Sequence, residues 1–159
     1  MTTTAQETAT TRRLSMLEQN PNVYKALIAL QLASSEGLEP ELIELIKIRA
    51  SQLNGCAYCL RMHIADALAM GIDPMVIGLI PVWHEAFNHF DERQRSALEL
   101  TEYVTRIGEE GVPDDAFERA RAVFDEVELG QVVASIVMIN AWNRVAITSK
   151  YPYEADERK

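Results

Sequence analysis

The chain has 159 residues, 48% of them hydrophobic and only 7% aromatic, with a formal net charge of −9. That length predicts one domain with a real core, and the acidic balance argues against nucleic acid and anionic membranes, which reward basic patches. No apolar run in the sequence reads as a membrane span, and the start Met-Thr-Thr-Thr-Ala-Gln-Glu-Thr shows no signal-peptide pattern, so a cytoplasmic, reducing setting is expected.

Residues 1–11 are polar and Thr-rich and read as a disordered tail, 12–152 as the single domain and 153–159 as a polar C-terminal tail. Helical signals follow one another along the domain. A short helix is predicted over 13–19. Asn20-Pro21 opens a second, with Val23, Leu27 and Leu30 as its apolar stripe and Gly37 as its stop. Pro40 opens a third, reaching about Leu53. Asn54-Gly55 then breaks the pattern, with Asn54 a favoured N-cap residue, and a fourth helix covers 56–70, ending at Gly71. Asp73-Pro74 caps the next segment, Pro81 interrupts it, and 83–90 reads as a short amphipathic piece. Asp91 caps a long helix to about Ile107; another covers 114–126, and the last runs over roughly 129–148, stopped at Tyr151-Pro152. No strand and no repeat is evident. Short connections between about six to eight helices predict a compact all-α bundle.

The chemistry lies between the third and fourth helices. Cys56 and Cys59 are the only cysteines, and they form one Cys-x-x-Cys pair followed by His63. At helical pitch these three residues fall within about 60° of one another, so two thiols and an imidazole share a face. A helix N-terminus lowers a thiol pKa, and a neighbouring base can take its proton. Three other readings compete. A zinc site needs four ligands, with His63, His84 or His89 completing the set, and the usual finger spacing is absent. A structural disulfide closing so short a loop gains little. Two buried, inert thiols are the third. Redox chemistry is the favoured reading, with no metal and no cofactor; no Gly-rich phosphate loop is present.

Glu44 stands on the third helix, apolar at Leu42, Ile43, Leu45, Ile46 and Ile48, where Glu44, Lys47 and Ser51 make a narrow polar stripe. The plain reading is a solvent-facing stripe with a Glu–Lys pair. The sharper one sets Glu44 beside the thiols, with its pKa raised by apolar surroundings to suit a proton relay. His84 and His89 read as ordinary, partly exposed residues.

Glu44, eleven residues, Cys56-Ala-Tyr58-Cys59, three residues and His63 resemble the signature of the AhpD-like alkylhydroperoxidases, within the carboxymuconolactone decarboxylase superfamily. Trp83, the run Phe90-Asp-Glu-Arg-Gln-Arg-Ser-Ala-Leu-Glu-Leu and Ile139-Asn140-Ala-Trp142-Asn143-Arg144 extend the likeness over roughly 20–152. The resemblance implies an AhpD-like helical fold assembled into homo-oligomers, often trimers or hexamers. It implies a thiol peroxidase acting on alkyl hydroperoxides and recycled by an external dithiol or protein reductant. Cys59 would be the attacking thiolate, Cys56 the resolving one, and His63 with Glu44 the relay that deprotonates Cys59. Against this, the first cysteine of many Cys-x-x-Cys helices lies nearest the helix dipole and is the nucleophile. One position departs from the pattern: Tyr58 stands where the hydroperoxidases carry a His. A phenol cannot replace imidazole as a base near neutral pH but can donate a hydrogen bond to peroxide or thiolate. The decarboxylase branch lacks the cysteine pair. A general thiol–disulfide oxidoreductase and a non-catalytic, redox-sensing or partner-binding oligomer are the alternative functions.

Overall fold

The computed structural model describes residues 13–151; the tails expected at 1–11 and 153–159 lie outside the described residues. The described residues form helices α1 (Met16–Gln19), α2 (Pro21–Ala33), α3 (Pro40–Asn54), α4 (Ala57–Ala69), α5 (Pro74–Leu79), α6 (Glu92–Thr105), α7 (Ile107–Glu110), α8 (Asp114–Arg121) and α9 (Glu126–Ser149), and no strand. The all-α expectation holds.

Local chemistry explains most boundaries. Pro21, Pro40 and Pro74 each occupy a first helical turn, where a missing N–H costs nothing. Asp91 and Asp125 each make a capping box, with Gln94 and Glu128 returning the bond. The Asp125 cap separates α8 from α9, so the single helix expected over 114–126 is shorter and the last helix starts earlier. The 83–90 piece is not an α-helix; one 3₁₀ turn, Ile80–Val82, precedes it and another, Phe87–His89, lies within it. Pro81 has no N–H to donate there, which breaks the ladder.

Helix α3 is the axis of the bundle and packs against α4, α6 and α9. Every residue from Leu42 to Ile48 is buried. Its two apolar flanks feed different cores: Leu42, Ile43 and Ile46 meet Leu100, Val132 and Ile136, whereas Leu45 and Ile48 meet Ile80, Trp83 and Leu98. Arg49 grips Glu102 on α6 at 2.7 Å, and the Trp83 indole N–H donates to the same carboxylate oxygen at 2.8 Å. Helix α9 is long and apolar enough to cross a membrane by length and composition alone, contrary to the expectation that no such run exists. Its apolar length serves the core, through buried Leu129, Val132, Ile136, Met138 and Ile139.

Helix α2 is different. None of its residues is buried, and Val23, Ile28, Leu30 and Leu32 are exposed. It is held against α9, where the Gln131 amide donates to the Ala33 and Glu36 carbonyls and the Ser135 hydroxyl donates to the Ser34 carbonyl.

Candidate active site

The turn between α3 and α4 builds the site. Gly55 adopts φ +67°, a left-handed conformation that suits glycine. Its N–H donates to the Gln52 carbonyl at 3.2 Å, and the Cys56 N–H to the Ser51 carbonyl at 2.9 Å. This is a Schellman ending, and it satisfies carbonyls that α3 would leave open. Cys56 is at once the last member of that motif and the N-cap of α4. Asn54, expected to cap α4, instead ends α3. The reversal folds α4 back along α3 and brings His63 against Glu44.

The two thiols are free, and both are buried. Their sulfurs lie 2.8 Å apart in a hydrogen bond, and the Cys56 sulfur accepts the Cys59 backbone N–H at 3.4 Å. The Cys56 thiol is lowered to about 7: the bond from the Cys59 thiol is the largest cause, burial opposes it, and the N–H groups of Cys59 and Tyr58 and the Asn143 side chain add to it. Cys59 is pushed upward, first by that same bond, in which its thiol is the donor once Cys56 is the thiolate, and then by burial. Two sulfurs that share a proton titrate as a unit. Position favours the resting charge on Cys56, at the N-terminus of α4, against the expectation that Cys59 is the low-pKa thiol. Access favours Cys59, which opens onto a cavity that Cys56 does not line.

That cavity has a volume of about 220 Å³. Its walls are largely apolar, from Ile28, Met62, Met138, Ile139 and the rings of Tyr24, Tyr58, Trp142 and Tyr151, and His63 and Lys47 join Cys59 on its lining. Tyr24 meets Trp142 edge-on at 5.4 Å, and Tyr58 meets Tyr151 edge-on at 5.3 Å. Burial first, and then Tyr24 and Cys59, raise the Tyr58 pKa, so this phenol stays protonated and can donate but not act as a base.

Glu44 is 3% exposed, so the stripe of Glu44, Lys47 and Ser51 faces inward rather than to solvent. One Glu44 oxygen meets the Lys47 ammonium at 3.0 Å and the other meets His63 Nδ1 at 2.9 Å. Burial pushes the Glu44 carboxyl up, but the bond and charge of His63 and the Lys47 ammonium outweigh it, and its pKa falls below the ordinary value. The expected rise is therefore overturned: the relay carboxyl is ionised. An ionised carboxylate only accepts, so Nδ1 of His63 carries the hydrogen of that bond, which leaves Nε2 as the ring atom free to exchange a proton. Asp66 joins Glu44 and His63 in a group whose ligand atoms lie within 4.8 Å of one another. The Lys47 ammonium on the same carboxylate opposes a cation there, and neither cysteine belongs to the group. His84 and His89 are exposed and take no part; His84 stacks on Trp83 at 3.6 Å.

A model of the carboxymuconolactone decarboxylase family matches residues 21–103, the stretch that carries Glu44, Cys56, Cys59 and His63. The chain belongs to the carboxymuconolactone decarboxylase family. It is 36% identical over 137 residues to the uncharacterised protein YdfG of Bacillus subtilis (strain 168), covering 86% of this chain and 92% of that protein. Among solved structures it is similar to an Agrobacterium tumefaciens protein of unknown function suggested to be an antioxidant defence protein AhpD. That likeness has TM-score 0.87 at 37% identity and covers 92% of this chain and 100% of the other. An uncharacterised peroxidase-related protein from Silicibacter sp. TM1040 matches with TM-score 0.70 at 26% identity, over 84% of this chain and 70% of that one. The fold of this family member is AhpD-like.

Several residues at the site carry no strong signal in the sequence. Tyr24 and Tyr151 reach the cavity from helix α2 and from just beyond α9. Asn143 is fully buried, although asparagine is rarely interior, and its side chain pulls both thiols down. Two asparagines three apart in an apolar helix, Asn140 and Asn143, were the available sign of a polar seam.

Proposed function

We propose that this chain is a thiol peroxidase that reduces organic hydroperoxides through Cys56 and Cys59. One observation carries the reading: a hydrogen-bonded pair of free thiols at a helix N-terminus, with Cys59 opening onto an apolar cavity beside His63. Largely apolar walls favour an organic peroxide over hydrogen peroxide, which has no apolar part to bury.

The cycle runs as follows. His63 Nε2 takes the Cys59 proton, with Glu44 stabilising the imidazolium that forms. The Cys59 thiolate attacks the terminal oxygen of the hydroperoxide. The O–O bond breaks, an S–O bond forms, and the departing alkoxide takes the proton from His63 and leaves as an alcohol. The Cys56 thiolate then attacks the Cys59 sulfenic sulfur, and the hydroxide expelled leaves as water with one proton. Sulfur has given two electrons to the peroxide, and a Cys56–Cys59 disulfide remains. An external dithiol returns both thiols and becomes a disulfide itself. Tyr58 donates a hydrogen bond to the peroxide or thiolate.

Peroxide consumption with a panel of dithiols, run on wild type and both single-cysteine variants, tests the proposal. Turnover that needs both cysteines supports it; wild-type rates with both replaced by serine would overturn it. The N-cap position of Cys56 also suits a second reading, a thiol–disulfide oxidoreductase acting on another thiol. A mixed disulfide trapped on a single-cysteine variant, without peroxide turnover in the wild type, would favour that reading. We also propose a homo-oligomer in a reducing, cytoplasmic setting; the unburied apolar side chains of α2 support association.

A further inference from the structure

A chain of side-chain amides runs from the surface to the sulfur pair, and its direction is fixed at the outer end. The Arg144 guanidinium only donates. Its Nη1 donates to Asn140 Oδ1 at 2.8 Å, so that atom is the oxygen of the amide. Asn140 Nδ2 correspondingly donates to the Ile136 carbonyl at 2.9 Å and to Thr105 Oγ1 at 3.0 Å. Asn140 Oδ1 also accepts from Asn54 Nδ2 at 3.0 Å, and the same nitrogen donates to Asn143 Oδ1 at 2.8 Å. With its oxygen engaged by Asn54, Asn143 must present nitrogen elsewhere. One N–H of Asn143 goes to Ser51 Oγ at 3.1 Å. The side chain also lies beside Cys56 and Cys59 and pulls both thiols down. A flipped Asn143 would set two NH₂ groups against each other at Asn54 and turn an oxygen toward sulfur. The chain of donors excludes that orientation.

We infer that Asn143 is a catalytic residue that donates an amide N–H to the cysteine sulfurs and stabilises whichever of them carries the negative charge, and that Asn54, Asn140 and Arg144 are positioning residues that hold it in the donating orientation. The inference rests on the thiol chemistry proposed above and adds a group from outside the Cys-x-x-Cys helix. A donor shared by both sulfurs serves the whole cycle. It favours thiolate on Cys59 during attack on peroxide and on Cys56 during closure of the disulfide. It also reconciles the two pulls at the site, a helix N-terminus that places charge on Cys56 and a cavity that exposes Cys59. The other charged or titratable groups around the pair are Tyr58 and His63 on α4, Glu44 and Lys47 on α3, Tyr24 on α2 and Tyr151 after α9. None of them is altered by a change at Asn143.

The test is the pH titration of thiolate ultraviolet absorbance on the reduced full chain, with no peroxide present, for wild type, Asn143→Ala, Asn143→Asp and Asn54→Ala. Loss of a hydrogen bond to the charged form raises an acid's pKa. Asn143→Ala should move the first thiolate midpoint up by about one pH unit. Asn143→Asp keeps the acceptor for Asn54 but faces the sulfur with a carboxylate, and should move it further. Asn54→Ala removes the donor that engages Asn143 Oδ1 and leaves only the Ser51 hydroxyl, which accepts or donates, so the Asn143 amide is free to flip; it should raise the midpoint by a smaller amount in the same direction. Single-turnover oxidation by peroxide should slow about tenfold at neutral pH in Asn143→Ala, with the gap closing in alkali. A merely structural role would lower the melting temperature and leave the midpoint where it was. A midpoint unchanged in folded Asn143→Ala, or in Asn54→Ala should the Asn143 variants not fold, overturns the inference. Shifted midpoints in a protein whose wild type never turns over peroxide would sink the proposed function and leave the role of Asn143 standing.

Discussion

Replacing Cys59 separates a hydrogen bond from a helix end as the source of the low thiol pKa. The leading cause of the fall at Cys56, from 9.0 to about 7, is the bond donated by the Cys59 thiol across 2.8 Å. Cys59→Ala removes that donor. Cys59→Ser keeps a hydroxyl in its place. Both variants carry a single thiol, so any signal belongs to Cys56. Two pH units correspond to about 2.7 kcal/mol. They are a ceiling for the alanine variant, because the backbone N–H groups of Cys59 and Tyr58 and the Asn143 side chain remain. At pH 7 the thiolate fraction would drop from about one half to about 1%, roughly 50-fold. A more basic thiolate is a better nucleophile, by about eightfold over two units at a Brønsted slope near 0.45. Thiol–disulfide exchange with a small disulfide should therefore be at most about sixfold slower in Cys59→Ala than in Cys59→Ser at pH 7. At about pH 10, where both are ionised, the order should invert and alanine should react up to about sevenfold faster. The rate profiles must cross. Identical midpoints in the two variants would show that the helix terminus alone sets the pKa and that the bond between the thiols contributes nothing.

Glu44→Gln leaves the buried Lys47 ammonium without its carboxylate, and should cost about 3–5 kcal/mol in denaturant unfolding at neutral pH. Because the folded Glu44 pKa lies below the ordinary value of 4.5, its contribution is full above that pH and lost as pH falls through the folded value, so the gap between wild type and variant should narrow in acid. An acid-independent gap would contradict the ionised assignment. Gly55→Ala meets no atom within 4 Å, so its cost is backbone strain at φ +67°, about 1–2 kcal/mol by thermal unfolding; a neutral result would mean that the turn relaxes. Light scattering at micromolar concentration should report a homo-oligomer, a trimer or hexamer by resemblance, and a monomer would contradict that proposal.

The helices were legible because proline, glycine and aspartate punctuate this chain at their boundaries, with the Asp125 cap the main one overlooked. The Cys-x-x-Cys pair at a helix start was legible from Asn54-Gly55, although the cap proved to be Cys56 itself, since a Schellman ending consumes Asn54 and Gly55. Whether Glu44 faces water or protein was not decidable from a three-residue stripe; that depends on α4 folding back along α3. The direction of its pKa was missed because burial is visible in an apolar helix, whereas the two partners that outweigh it, His63 and Lys47, act through tertiary geometry. Asn143 lies more than eighty positions from the cysteines, and only packing of α9 on α3 and α4 brings it to them.

The central claim is that Cys56 and Cys59 form one redox unit in which Cys59 meets the peroxide and Cys56 closes the disulfide. Intact mass and thiol counting after one equivalent of an organic hydroperoxide test it most directly. The account predicts two thiols before treatment, none after, and a mass loss of two hydrogens. Cys56→Ser should stop at one sulfenic acid per chain, and Cys59→Ser should lose the fast oxidation altogether. Two thiols surviving treatment, or fast oxidation retained without Cys59, would contradict it.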